Sequence, residues 1–125
     1  MRLIREFMAA IERMIEKKEG TRRRQEIKKL YVQYFGDYAL WRNASVADLM
    51  QSLAKYPIGE RPYRVEMLAE LFYNEAPLVS KPDGDMLLEK AYALYDYIDR
   101  TGKTYSLMRL KRMDEIKERL GAAGD

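Results

Sequence analysis

Apolar residues recur along this chain at intervals of three, four and one, the spacing of a helix surface. Leu3, Ile4, Phe7, Met8, Ile11, Met14 and Ile15 form one broad apolar face, so a helix is expected from about Leu3 to Lys18. Glu19-Gly20-Thr21 breaks that pattern. Thr21 is the expected N-cap of a second helix carrying Ile27, Leu30, Tyr31, Tyr34 and Phe35, and Gly36 its expected C-terminal residue. Tyr38 and Trp41 continue the same stripe, which predicts a short further segment from Tyr38 to Arg42 with Trp41 in the core.

Ser45-Val46-Ala47-Asp48 reads as a capping-box variant opening a helix that buries Leu49, Met50 and Leu53 and ends at Tyr56-Pro57. The linker from Ile58 to Pro62 divides two possible subarrays, 1-57 and 62-120, and is too short to separate domains. Pro62 suits a first helical turn, and the helix it opens is expected to bury Val65, Leu68, Ala69, Leu71 and Phe72, with Glu66 and Glu70 together on a solvated side. An irregular connection from Asn74 to Gly84 closes in a Pro82-Asp83-Gly84 turn. The next helix carries Leu87, Leu88, Ala91, Leu94, Tyr95 and Ile98, flanked by Tyr92 and Tyr97, and Gly102 is placed for a left-handed C-terminal residue. Thr104 or Ser106 then opens a last helix with Leu107, Leu110, Met113, Ile116 and Leu120 inward and Glu115 paired with Arg119; residues 121-125 read as a frayed tail. The segment from Arg64 to Leu120 organises the rest. The expected fold is all-α: a single domain over residues 1-125, forming a compact antiparallel bundle of five to six helices.

Composition narrows the chemistry. The 125 residues include no cysteine and no histidine, which removes disulfides, thiolate nucleophiles, Ser-His-Asp triads and the usual zinc and di-iron ligand sets. The lack of cysteine suits a reducing compartment, and the N-terminal helix mixes charge with apolar residues, so neither a signal peptide nor a membrane span is expected and the chain reads as cytoplasmic. Net charge is +3, unevenly spread: residues 1-36 hold ten basic and five acidic groups, residues 37-100 seven and eleven. An acidic middle is thus flanked by basic ends that can complement it. The carboxylate pairs Glu66 with Glu70 and Asp96 with Asp99 are the available acid-base or metal candidates, and their spacing is ordinary for solvated helices. The seven glycines form no phosphate loop, and Asp83-Gly84-Asp85 is a turn and N-cap lacking the later ligands of a calcium loop; no cofactor and no metal is expected.

Two groups of residues carry binding potential. Ten tyrosines against three phenylalanines is a bias toward rings with a polar tip, most of them expected at the core edge with hydroxyls in water. Tyr73, Tyr92, Tyr97 and Tyr105 lie off or beside the apolar stripes and are the candidate partner-binding residues. Arg22, Arg23 and Arg24 sit in a first helical turn, where cations oppose the helix dipole, and are the candidate anion-binding residues.

Leu68-Ala69-x-x-Phe72 followed by Ala91-x-x-x-Tyr95-x-x-Ile98 resembles the small-and-large pattern of a tetratricopeptide hairpin, with 22 positions between the two alanines where the repeat has about a dozen, and with no second copy. The stretch from Ala91 to Leu120, with Tyr95-Asp96-Tyr97-Ile98-Asp99 and Met113-Asp114-Glu115-Ile116-Lys117, is similar to the degenerate tetratricopeptide-like C-terminal hairpin of small uncharacterised helical proteins of bacteria. That resemblance implies a helical, partner-binding module and brings no functional residues with it. The expectation is a non-enzymatic protein-interaction module, binding another protein or itself, with no membrane partner. The alternative is a weak nucleic-acid binder using the basic segment 17-29, through Lys17, Lys18, Arg22, Arg23, Arg24, Lys28 and Lys29; the small net charge and the lack of a reading motif argue against it.

Overall fold

A computed structural model describes residues 2-16, 19-102 and 104-124. Among them the chain is all-helical and has no strand: α1 Arg2–Ile15, α2 Gly20–Tyr34, α3 Tyr38–Asn43, α4 Val46–Leu53, α5 Arg61–Glu75, a 3-10 turn Ala76–Leu78, α6 Asp83–Thr101 and α7 Leu107–Gly124. The short segment after Gly36 is thus a helix of its own, giving seven.

Local chemistry sets most of the boundaries. Gly36 adopts φ 134°, a conformation side chains avoid, and lets the amides of Phe35 and Gly36 both donate to the Tyr31 carbonyl. The Asp37 carboxylate accepts from the Leu40 amide at 2.8 Å and caps α3, and the Ser45 hydroxyl accepts from Asp48 at 3.1 Å and caps α4. Three expectations fail at helix ends. The N-cap of α2 is Glu19, two residues before Thr21, which puts its carboxylate 3.5 Å from Arg22 and offsets a cation at the positive end of the helix. Gly102 is extended, with φ −79° and ψ 157°, and ends α6 by donating to the Ile98 carbonyl at 2.7 Å, so no left-handed residue is needed. Residues 121-124 continue α7 as helix, and Asp125 lies outside the described residues.

The connection from Asn74 to Gly84 is also more regular than expected. Helix α5 runs on to Glu75, the 3-10 turn follows directly, and Asp83 and Asp85 occupy the first turn of α6, where negative charge meets the helix dipole favourably. Gly84 is buried against this turn.

Helix α5 is covered on every side. Met67 to Tyr73 is an unbroken buried run of nearly two turns, contacted by α1, α2, α4, α6 and the 3-10 turn. The expected solvated side bearing Glu66 and Glu70 is therefore absent: Glu70 is 1 % exposed and Glu66 is half-buried. The hydrophobic cluster extends from Phe7, Ile11 and Met14 on α1 to Met113 and Ile116 on α7, with contributions from both sides of the 58-62 linker. Leu107, expected inward, is instead exposed, because Ser106 caps the helix through the Arg109 amide and only the later positions face α6. The expected pair of Glu115 with Arg119 does not form, since Glu115 turns to Tyr73 and lies 3.9 Å from Arg112.

A Cβ at Gly84 would stand 2.8 Å from the Ala76 carbonyl oxygen, a backbone atom that cannot swing aside. Gly84→Ala is expected to destabilise by about 1–3 kcal/mol. Gly20→Ala, at a helical position with nothing within 4 Å, is expected to stabilise by about 0.5 kcal/mol. Urea denaturation of the two variants checks both signs.

Candidate functional site

The four candidate tyrosines do not share a face. Tyr73 is buried, not exposed: its ring is in contact with two guanidiniums of α7, the Arg112 and Arg119 carbons lying 4.3 and 5.0 Å from its centroid, and its hydroxyl donates to Glu115. Tyr92 is half-buried, with the Lys117 ammonium 5.6 Å from its ring. Only Tyr97, 39 % exposed, and Tyr105, 73 % exposed, present a ring to solvent.

The three arginines also diverge. Arg22 is exposed beside Glu19, Arg23 lines a cleft between α1, α5 and α7, and Arg24 is exposed close enough to Tyr38 to bear on its ionisation. Lys28 lies 5.2 Å from the Tyr38 ring, Lys29 is beside Glu26 at 3.5 Å, and Lys17 and Lys18 lie outside the described residues.

Two buried carboxylates on α5 gather most of the internal polar chemistry. Glu75, fully buried, accepts from the Tyr31 hydroxyl at 2.8 Å, from the Tyr38 hydroxyl and from the Arg42 Nε at 3.2 Å. Arg42 reaches on to Asp83 at 3.3 Å, and its carbonyl accepts from Lys90 at 2.9 Å. Glu70 repeats the arrangement toward the other helices: it accepts from Tyr95 at 2.5 Å, from Arg112 at 3.2 Å and from Asn74 at 3.3 Å. Five residues apart, the two carboxylates point about 140° from one another around the helix. Most tyrosine hydroxyls were expected in water, yet Tyr31 and Tyr95 are fully buried because these carboxylates supply acceptors inside.

The electrostatics follow from that burial. Tyr31 and Tyr95 are held well above the ordinary phenol range by burial and then by the adjacent carboxylates, and Tyr38 is raised to about 12 by the same causes. Burial lowers Lys90, helped by the neighbouring Arg42. Burial and Glu70 raise Glu66, against the pull of Arg109. Among the described residues no buried side-chain nitrogen or oxygen lacks a partner, and no group of acidic side chains converges as a metal site. Asp96 and Asp99 are bound to separate cations, Arg100 at 2.9 Å and Arg109 at 3.2 Å. The two clusters tie helices together and offer a ligand no unsatisfied group.

An open surface feature stands at the first turn of α5. Met50, Leu53 and Ala54 of α4, Pro62 and Val65 of α5, and Tyr97, Ile98 and Thr101 of α6 line a groove of about 360 Å³. Ile58, 79 % exposed, stands on its rim, and Arg61 holds the rim by donating to the Tyr56 carbonyl at 2.7 Å. Gly102 is the last of the described lining residues, so Tyr105 lies no more than about 11 Å from the groove by chain length, with exposed Leu107 and Met108 following in sequence. Neither Ile58 nor the α7 start was among the sequence candidates. The available signal was a lone isoleucine between Pro57 and Gly59, in a stretch otherwise read as linker.

No protein-family model, curated protein or solved structure matches the chain. No helix among the described residues is long and apolar enough to cross a membrane.

Glu75→Gln leaves the buried Arg42 guanidinium short of its anion and is expected to lose about 3 kcal/mol in urea denaturation, and Glu70→Gln, whose partner Arg112 is only half-buried, is expected to lose less. Glu6→Gln, at the exposed pair with Arg2, is expected to leave the midpoint where it was. The folded state keeps the Tyr38 proton that the unfolded chain gives up near 10.0, so this stabilisation is complete below pH 10 and is lost as pH rises toward about 12. Tyrosinate absorbance should rise in two steps, the later one coinciding with loss of helical circular dichroism. A single step near the ordinary phenol value, with the helices intact, would show that these hydroxyls are not held as described.

Proposed function

We propose that the chain is a non-enzymatic helical interaction module of the cytoplasm, and that the groove between α4, α5 and α6 is where its partner docks. The observation that carries this reading is an apolar groove with Ile58 and Tyr97 exposed on its walls. Exposed apolar residues gathered in one place mark interaction surfaces more often than scattered ones do. The partner is another protein or a second copy of the chain. In either case an apolar helix face or extended segment suits a groove whose only charged lining residue among those described is Arg61.

In this reading residues 1-125 act as one domain, an antiparallel bundle whose long helices number five or six beside the short α3. The α5 and α6 pair serves as a tetratricopeptide-like hairpin. Burial of Leu68, Ala69 and Phe72 together with Ala91, Tyr95 and Ile98 supports that likeness. The divergence of Arg22, Arg23 and Arg24, and the engagement of Arg22 with Glu19, favour the groove over the basic segment as the docking site.

Affinity capture from cytosol with and without nuclease, together with sedimentation of the purified chain, tests this. Ile58→Asp with Tyr97→Ser is expected to weaken the captured partner or the self-associated form by at least about tenfold. Charge reversal of Arg22, Arg23 and Arg24 should leave it unchanged. Capture that vanishes with nuclease and with the arginine reversal would assign the chain to nucleic acid instead.

A further inference from the structure

A second groove, of about 580 Å³, lies between α3 and α4 and shares no described lining residue with the one at the start of α5. Leu40, Trp41, Ala44 and Leu49 give it an apolar lining, and Asp37 and Asp48 give it two carboxylates. No cation stands among its described lining residues; Arg42, the nearest in sequence, is turned inward onto Glu75 and Asp83. Leu40 is 68 % exposed, although it stands in the middle of a helix.

The charges in and beside this groove are not balanced within the chain. Asp37 accepts from the Leu40 amide through one carboxylate oxygen, and neither it nor Asp48 makes an ion pair among the described residues. The positive ends of α3 and α4 stand close by, but each of these acids sets a whole negative charge against about half a positive one, so the groove stays net negative. The opposite charge lies next to it on α2. Arg24, Lys28 and Val32 recur at intervals of four and form one exposed stripe, with Val32 59 % exposed. The Lys28 ammonium is 5.2 Å from the Tyr38 ring and Arg24 bears on the Tyr38 hydroxyl, so the stripe adjoins the groove where Asp37 precedes Tyr38 at the start of α3. Arg22 and Lys29 of the same helix stand beside Glu19 and Glu26, whereas Arg24 and Lys28 make no ion pair among the described residues.

A surface with an acidic apolar half beside a basic half is complementary to itself after half a turn. We propose that the face made by α2, α3 and α4 is a two-fold contact between two copies of this chain, in which Arg24 and Lys28 of each copy meet Asp37 and Asp48 of the other. Leu40, Val32 and Trp41 close the apolar centre between these charges. The charges fix orientation, and the apolar side chains supply the buried area. Each copy uses its acidic and its basic half once, so the contact closes at two and does not propagate. A basic segment of another protein would satisfy the acidic half alone and leave Arg24 and Lys28 without anions, which makes a second copy the better fit. Self-association is thereby assigned to this face, and the groove at the start of α5, on which nothing here rests, is left to a different protein.

Sedimentation velocity of the purified chain over roughly a hundredfold range of concentration tests the assignment. A monomer-dimer equilibrium is expected, weakened at least about tenfold between ~0.05 M and ~0.5 M salt. Asp48→Lys and Lys28→Glu should each weaken the dimer by at least about tenfold. The double variant restores opposite charges with their places exchanged and should recover most of the affinity, with helical circular dichroism unchanged in all three; two separate folding defects would add instead. Ile58→Asp with Tyr97→Ser should leave the dimer intact. A chain monomeric throughout, growth beyond the dimer, a double variant weaker than either single one, or a dimer lost with Ile58 and Tyr97 but kept with Asp48→Lys would each overturn the proposal.

Discussion

Surrounding α5 completely is the constraint on which the rest of this structure depends. A helix with one wet face can carry its carboxylates into solvent, and α5 has no such face between Met67 and Tyr73. An unpaired carboxylate in that position would cost several kcal/mol, so Glu70 and Glu75 each require a cation and hydroxyl donors from neighbouring helices. The neighbours supply them in matching sets. Tyr95 and Arg112 come from α6 and α7 for Glu70, and Tyr31, Tyr38 and Arg42 come from α2 and α3 for Glu75. Every helix that buries α5 on those two sides is therefore held in rotation and register as well as in contact.

Two buried clusters of this kind are a weak source of net stability, because the desolvation of each ion consumes much of the attraction. Their effect on the arrangement of helices is more direct. Apolar faces alone tolerate sliding and rotation, since one leucine against another differs little from its neighbour. The Glu75 carboxylate accepts from three partners on two helices, and a shift of one residue in α2 or α3 would leave it short. The same reasoning explains why the phenols of Tyr31 and Tyr95 are suited to the core: a phenylalanine would fill the space and orphan the carboxylate.

Much of the helical order was legible along the chain. The stripes of α1, α2, α4 and α6, the caps at Ser45 and Gly36, and the short segment after Asp37 follow from periodicity and turn chemistry acting within a few residues. What a single stripe does not contain is the number of neighbours around it. Glu66 and Glu70 read as a wet side on a pattern in which half of each helix meets water, although apolar residues spread around α5 from Val65 to Tyr73 are the mark of a helix covered on all sides. Tyr73 belongs to the same misreading. Arg23 and Arg119 lie 96 positions apart and share no local pattern, so only tertiary packing brings them to one cleft. Ile58 lies in a stretch whose Pro and Gly residues read as linker, and there the chain makes a groove wall.

The interior and the ends of α5 divide the chemistry between them. Polar groups in the interior are saturated by one another, and a saturated cluster has nothing to offer a ligand without first being broken. At the first turn of α5 the surface is apolar and carries exposed Ile58 and Tyr97; at the last turn it is cationic over an apolar wall. Glu70 stands between them and reaches both halves of the helix array, through Tyr95 on α6 and through Asn74 at the cleft.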